Sequence, residues 1–124
     1  MNKDSPRTEP LVTGQCIQQD GIDLQLRIEL DNAYLQGHFP AVAIVPGVAQ
    51  VDWAVLFADR YLGTDLRAAV DFRVKFRSVI LPPADLILEL RFEGASPASR
   101  RLGFAYRNGD VIYSSGAIRL EREQ

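Results

Sequence analysis

The chain has 124 residues, of which 47% are hydrophobic and 24% are charged. These values are typical of one globular domain with a single core. The net charge of −2 gives no overall attraction to nucleic acid or to an anionic membrane, so we expect neither as a partner. Cys16 is the only cysteine, which excludes an internal disulfide. No apolar run reaches the roughly 18 residues of a membrane span or resembles a signal peptide, and we predict a cytoplasmic protein.

The first third of the sequence predicts two strands. We expect residues 1–10 to form a flexible tail and residues 11–124 to form one domain. A strand is predicted over Leu11–Gln19, and Asp20-Gly21 favours a hairpin turn. Apolar and polar residues then alternate over Ile22–Leu30, which is typical of a strand with one buried face. The segment that follows is irregular, with one helical turn predicted at Ala33–Gln36.

A long helix is predicted after this segment. Pro46 suits the first helical position, where its missing N–H costs nothing, and Gly63 suits the C-terminal stop. Apolar residues recur at helical spacing, at Val48, Val51, Val55, Leu56, Ala58 and Leu62. Further small or apolar residues widen this stripe, namely Ala49, Trp53, Ala54 and Phe57. A helix that is apolar around so much of its circumference is expected to be largely buried.

Strand patterns fill the rest of the chain. They cover Val70–Arg77, Asp85–Phe92, Arg101–Arg107 and Val111–Leu120. Pro82-Pro83 interrupts the series, and Asn108-Gly109 is a strong hairpin signal. The order therefore predicts an α+β fold in which a curved antiparallel sheet of about six strands wraps one long central helix.

Three residues around the helix start could carry acid–base chemistry. His38 is the only histidine of the chain, and imidazole is well matched to proton transfer near neutral pH. Backbone N–H groups at Gly47 would lie at a helix N-terminus, where they and the helix dipole can stabilise an oxyanion. Asp52 has apolar helical neighbours, so we expect a poorly solvated carboxyl group that acts as a proton donor.

Each of these residues also has a structural interpretation. A lone histidine beside a proline is usually structural or exposed, and Pro-Gly alone marks a turn. An aspartate early in a helix often serves as a cap. Asp52, however, lies six positions after Pro46, beyond the first turn, which weakens that interpretation. Taken together, the three residues favour elimination next to a carbonyl group.

The segment Gly37–Val48 resembles the G-H-F-P-x-x-P-x-x-P-G-V signature of hotdog-fold 3-hydroxyacyl-[acyl carrier protein] dehydratases. In that family a carboxylate on the central helix follows the histidine by fourteen positions, and here that position is Asp52. The segment from Val74 to Leu86 is similar to the family's strand and turn after the helix. The sequence Pro46–Ala54 is most similar to the short dehydratases of aryl polyene clusters.

The resemblance implies a reaction. These enzymes remove water from a (3R)-3-hydroxyacyl thioester on an acyl carrier protein and form a trans-2-enoyl thioester. His38 would take the α-proton, Asp52 would protonate the leaving hydroxyl, and the Gly47 N–H would hold the thioester oxygen. The resemblance implies no metal and no cofactor other than the carrier's phosphopantetheine. It also implies a homodimer, or a heterodimer with a related subunit, in which one subunit supplies the histidine and the other the acid.

The sequence departs from the family pattern at Ala41 and Ala43, where glycine and proline are common. Neither position bears a catalytic side chain, so the departures concern loop shape and the acyl tunnel mouth. The acid is aspartate rather than glutamate, as in the dehydratase–isomerase branch of the family. We infer no isomerase activity from this one residue.

Further residues are predicted to bind the substrate or its carrier. Candidates for the acyl and thioester site are Phe39, Pro46, Val48 and Trp53, although aromatic residues on a buried helix are more often core. The candidates for docking the acidic carrier protein are Arg73, Lys75 and Arg77, on the charged face of one strand. The simpler interpretation of these three is a solvated strand face.

Two other functions fit a hotdog domain. One is a non-catalytic subunit that pairs with an active dehydratase or only binds acyl chains. The intact set of His38, Gly47 and Asp52 favours the active enzyme. The other is an acyl thioesterase, which would use a carboxylate and water and would not need the His-Phe-Pro segment.

Overall fold

The structure of the chain is a computed structural model that describes residues 9–29, 44–63, 68–93 and 101–121. These residues form six strands and one helix. In chain order they are β1 (Leu11–Gln18), β2 (Gly21–Ile28), α1 (Gly47–Leu62), β3 (Ala68–Phe76), β4 (Ala84–Glu93), β5 (Arg101–Asn108) and β6 (Val111–Glu121). Every predicted strand is confirmed to within two residues. The turn predicted at Ala33–Gln36 lies outside the described residues.

The six strands form one antiparallel sheet in the order β1-β2-β4-β5-β6-β3. Two tight turns fix its hairpins, and Gly109 supplies the positive φ of 58° that the turn between β5 and β6 requires. β1 and β3 lie at opposite edges of this sheet. The predicted α+β arrangement of one helix against about six strands is confirmed.

The core lies between α1 and one face of the sheet. Period-2 alternation turns every second residue of β2, β4 and β5 toward the helix. Leu24, Leu88 and Leu102 are among the side chains with no exposed surface. Burial of each such leucine contributes about 1.5–3 kcal/mol relative to an exposed one. The opposite, outer face of the sheet carries charged residues such as Glu89 and Arg91.

The buried face of α1 differs from the predicted one. The buried helical residues are Ala49, Gln50, Trp53, Ala54, Phe57 and Ala58. Val48 and Leu56, which belong to the predicted main stripe, are 65% and 36% exposed. The prediction was wrong for these two residues, whereas Ala58 is buried and Val51, Val55 and Leu62 pack against the core. Apolar residues surround much of this helix, and periodicity alone does not decide which of them face the sheet. The side of the helix that packs against the sheet is the one that carries the large rings of Trp53 and Phe57.

The ends of α1 follow ordinary capping chemistry. Pro46 has extended backbone angles (φ −63°, ψ 148°) and is the N-cap, so the helix begins one residue later than predicted. Gly63 is left-handed at φ 62°, and its N–H donates to the Asp59 carbonyl at 3.1 Å, as expected of a glycine stop. Near this end Arg60 binds the Glu9 carboxylate at 2.7 Å.

Candidate active site at the start of the central helix

Backbone contacts fix the start of α1. The Val45 N–H donates to the Ile80 carbonyl at 3.0 Å. The Pro46 carbonyl accepts the N–H groups of Ala49 and Gln50 at 3.1 and 3.3 Å. In the described part of the chain, the N-cap makes no side-chain hydrogen bond to the helix. The first N–H groups of α1 are therefore placed as donors for an anionic oxygen.

Gly47 is covered by an aromatic ring from the neighbouring edge strand. A Cβ atom added at Gly47 would lie 2.7 Å from Cζ of Phe76. Real Cβ atoms do not approach other atoms so closely, so only glycine accepts the ring in this position. The Phe76 side chain is itself 53% exposed and borders the outside of the molecule. Strand β3 and the helix start thus meet at Gly47.

Asp52 lies on the side of α1 that faces away from the sheet. It is exposed, as are Val48 one turn before it and Leu56 one turn after it. The expectation of a poorly solvated carboxyl group is therefore wrong for the single chain. The cause is the orientation of the helix, which leaves Val48, Asp52 and Leu56 on the side opposite the sheet.

Asp52 nevertheless acts on a buried tyrosine. Burial raises the pKa of the Tyr106 hydroxyl well above its ordinary value, and the negative charge of Asp52 raises this pKa further. Burial and the charge of Asp52 both disfavour a tyrosinate, so Tyr106 stays neutral and keeps its proton. The Tyr106 hydroxyl donates this proton to the Gln50 carbonyl at 2.6 Å.

A buried polar cluster lies beneath the helix start and was missed by sequence analysis. It consists of Gln50, Tyr106 and Ser114, which are 3%, 0% and 0% exposed. The Ser114 hydroxyl donates to Oε1 of Gln50 at 2.6 Å, and Nε2 of Gln50 donates to the Val45 carbonyl at 3.4 Å. The sequence feature that could have indicated this cluster is a glutamine among the apolar residues of the helix, because a buried glutamine needs hydrogen-bond partners.

The predicted site residues have different locations. Gly47 and Asp52 lie on the same end of α1, and Val48 is exposed between them. Trp53 is 1% exposed and belongs to the core. His38 and Phe39 lie outside the described residues. Roles in catalysis and substrate binding remain predictions for all of these residues.

The predicted docking residues are exposed on or beside β3. Arg73 and Lys75 line one wall of a groove of about 640 Å³ on the outer face of the sheet. The opposite wall carries Glu89 and Arg91, which already form ion pairs with Arg107 and with Asp20 and Asp23. Arg77 follows β3, and its N–H donates to the Tyr113 carbonyl at 2.9 Å.

Two arginines that sequence analysis did not select lie near Arg73. Arg101 of β5 and Arg119 of β6 are directly opposite one another in the sheet. Together with Arg73 they line a hollow of about 170 Å³. Like charges in directly opposite positions are unfavourable, so this arrangement favours an anionic group nearby. Their proximity follows from strand register, which the sequence does not display.

An apolar surface adjoins the helix start. Phe72 and Phe76 of the edge strand β3 are 56% and 53% exposed, and Val79 is 58% exposed. Val48 and Leu56 of α1 add to the exposed apolar side chains of the molecule. Large apolar groups around one sheet edge are typical of an interaction surface.

Residues 9–29, 44–63, 68–93 and 101–121 contain neither a metal-ligand cluster nor a membrane-spanning helix. Among them, no three His, Cys, Asp or Glu side chains come together as metal ligands do. The helix of this part of the chain is too short and too polar to cross a bilayer.

Solved structures with the same architecture define the fold as the hotdog fold. A chain of the dehydratase heterocomplex ApeI:P from Xenorhabdus doucetiae has a TM-score of 0.77 and 25% identity, covering 92% of this chain and 99% of that one. An uncharacterised protein from Erwinia carotovora subsp. atroseptica has a TM-score of 0.70 and 28% identity, with coverage of 90% and 95%. A thioesterase complexed with coenzyme A and Zn from Thermus thermophilus is 14% identical, with a TM-score of 0.59 and coverage of 80% and 78%, and shows the fold alone.

The family follows from the sequence match. The model of the ApeI-like family, described as ApeI dehydratase, matches residues 14–117. The chain belongs to the ApeI-like dehydratase family. No curated protein matches it.

Proposed function

We propose that this protein removes water from a (3R)-3-hydroxyacyl-[acyl carrier protein] and releases the trans-2-enoyl thioester, in fatty acid or aryl polyene biosynthesis. Membership of a dehydratase family supports the reaction type. The observation that carries the proposal is the joint position of Gly47 and Asp52. Both lie on the first turns of α1, about 7.5 Å apart along its axis, with Asp52 facing outward from the chain.

The proposed roles together account for every proton in the reaction. His38 takes the α-proton of the thioester, and the electrons left on the α-carbon form the new double bond. The bond between the β-carbon and its hydroxyl oxygen breaks as Asp52 donates a proton, so water leaves. The Gly47 N–H holds the thioester oxygen while negative charge develops on it. Transfer of the proton from His38 back to Asp52, through solvent, restores the starting state.

The exposed position of Asp52 supports a site completed by a second subunit. A general acid surrounded by water is poorly suited to elimination, and Val48 and Leu56 beside it are apolar groups without cover in the single chain. A second copy, or a related subunit, that covers this surface and the β3 edge would desolvate Asp52 and bring its own histidine to it. The solved relative from Xenorhabdus doucetiae is a dehydratase heterocomplex, which supports such an assembly.

Docking of the carrier protein is proposed for the basic side of β3. Acyl carrier proteins are acidic, and Arg73, Lys75 and Arg77 form no ion pair within 4 Å among the described residues. Such cations accelerate association with an acidic partner through long-range attraction. Reversal of charge at Arg73 and Lys75 should lower the salt-dependent association rate. An unchanged rate would remove this docking surface from the proposal.

Turnover of a 3-hydroxyacyl carrier thioester tests the proposed reaction. The purified protein should form the enoyl thioester, and His38→Ala should abolish its formation. Comparison of aliphatic with aryl acyl groups then defines the substrate class. Release of free acid would identify a thioesterase instead. Absence of turnover, together with co-purification of a second hotdog subunit that is active, would identify a non-catalytic partner.

A further inference from the structure

We propose that Gln50 is a positioning residue for the dehydration, because its side-chain amide fixes the chain before α1 and thereby the direction of the Gly47 N–H group. This inference rests on the proposed role of Gly47 as the donor to the thioester oxygen. It concerns a residue to which neither the family signature nor the acid–base chemistry assigns a role.

The location of Gln50 requires an explanation. Its side chain is 3% exposed and lies on the sheet-facing side of α1, where Ala49, Trp53 and Ala54 are all apolar. Burial of an amide is unfavourable unless both of its polar ends find partners. An apolar residue would fill the same space without that requirement. The contacts of the amide are therefore the feature that sets this position apart.

The two contacts of the amide permit only one orientation. Oε1 accepts the hydroxyl proton of Ser114 at 2.6 Å, and Nε2 donates to the Val45 carbonyl at 3.4 Å. If the amide were reversed, Oε1 would face the Val45 carbonyl oxygen, and two acceptors would oppose each other. The short bond to Ser114 thus orients the amide, and the longer bond transfers that orientation to the chain at Val45.

Val45 is held at both of its backbone polar groups. Its N–H donates to the Ile80 carbonyl at 3.0 Å, while its carbonyl accepts from Gln50. Only Pro46 separates Val45 from Gly47, and the proline ring fixes one of the two backbone angles between them. The orientation of the peptide that carries the Gly47 N–H therefore follows from the placement of Val45.

Three paired residues on neighbouring strands together contact both Gln50 and Gly47. Ser114 of β6 is paired with Tyr106 of β5 on one side and with Phe76 of β3 on the other. Tyr106 holds the Gln50 carbonyl, and the Phe76 ring packs against Gly47. A group placed by rigid strands in this way keeps a more precise geometry than a group placed by a loop.

Loss of the amide should affect turnover more than substrate binding. The thioester oxygen gains most of its negative charge in the transition state, so a misplaced donor lowers kcat while KM stays nearly constant. Removal of a complete oxyanion donor costs on the order of 10²–10³ in kcat. Gln50→Leu misplaces the donor without removing it, and we expect a loss of about tenfold.

The test measures kcat, KM and the exchange rate of the Val45 amide hydrogen in the full chain. Gln50→Leu removes the amide. Ser114→Ala removes only the group that orients it and disturbs the fold less. Ile118→Val, at the other end of β6 and equally buried, is the matched control for a general loss of stability.

We expect both Gln50→Leu and Ser114→Ala to lower kcat with KM within twofold and to accelerate exchange at Val45, with the larger effects in Gln50→Leu. Losses of kcat no greater than in Ile118→Val, or exchange at Val45 equal to that of this control, would overturn the inference. If the wild-type protein forms no enoyl product, the proposed function fails. In that case the exchange rate of the Val45 amide hydrogen alone decides whether Gln50 fixes the backbone before α1.

Discussion

Both sides of α1 carry large apolar residues, but the surroundings of the two sides are opposite. Trp53 and Phe57 on one side are buried against the sheet, whereas Val48 and Leu56 on the other are exposed beside Asp52. The first side stabilises the single chain. The second side has no such function in the single chain, and its combination of apolar groups with an acid is what a shared active site would need. The difference separates residues that stabilise the fold from residues for which we propose a role in assembly and chemistry.

Truncation on the buried side should give the largest effect on stability. Trp53→Ala leaves a cavity against the sheet and should lower the free energy of unfolding by about 3–5 kcal/mol. Val48→Ala on the exposed side should change it by about 0.5 kcal/mol or less. Urea denaturation at low protein concentration measures both values. Equal losses would show that the two sides of the helix do not differ in this way.

Removal of the acid on the exposed side should affect chemistry and leave the fold intact. Asp52→Asn keeps the size of the side chain but cannot donate the required proton, so enoyl formation should fall by about 10²–10⁴-fold. Because Asp52 is exposed, the free energy of unfolding should change by about 0.5 kcal/mol or less. Steady-state kinetics and thermal unfolding test the two halves of this prediction. Turnover that persists at the wild-type rate would exclude Asp52 as the acid.

Charge introduced at the β3 edge should weaken assembly. Phe72→Glu places a carboxylate in the exposed apolar surface, and we expect subunit association at least about tenfold weaker, or about 1.4 kcal/mol. Ile17→Glu is the matched control, since Ile17 is 77% exposed on β1 at the opposite edge of the sheet. Analytical ultracentrifugation compares the two variants. Equal weakening by both, or by neither, would exclude β3 as the specific interface.

A further prediction, confined to alkaline pH, concerns the buried tyrosine beneath the helix. Its raised pKa means that, above about pH 10, the unfolded chain loses the Tyr106 proton while the folded chain keeps it. The stabilisation is fully present below that pH. Above it, the free energy of unfolding falls by up to about 1.4 kcal/mol for each unit by which the pH rises. Tyr106→Phe should remove this slope. An identical slope in the variant would show that the Tyr106 hydroxyl is not protected by burial.

Much of the fold could be predicted from local sequence. Alternation over Ile22–Leu30 and the Asn108-Gly109 turn place β2 and the β5–β6 hairpin to within two residues. The orientation of α1 could not be predicted in this way, because its apolar residues surround the helix and only the sheet decides which side is buried.

The site could be predicted only in part. The chemistry of His38, Asp52 and the Pro-Gly helix start predicts three roles, and the family resemblance adds the reaction in which they would act. The hydrogen bonds of Gln50 could not be predicted, because its partners Val45 and Ser114 come together through strand register and tertiary packing. The exposure of Asp52 was likewise a consequence of helix orientation.

Mixing of two inactive variants tests most directly whether the exposed side of α1 is half of a shared active site. His38→Ala and Asp52→Asn should each be nearly inactive in enoyl formation. If one subunit supplies the histidine and the other the acid, dissociation and joint reassembly of the two variants restores one intact site in each mixed dimer. About a quarter of the wild-type activity should then return, since about half of the dimers are mixed and each has one working site of two. A mixture that stays as inactive as its components, although mixed dimers form, would contradict the account.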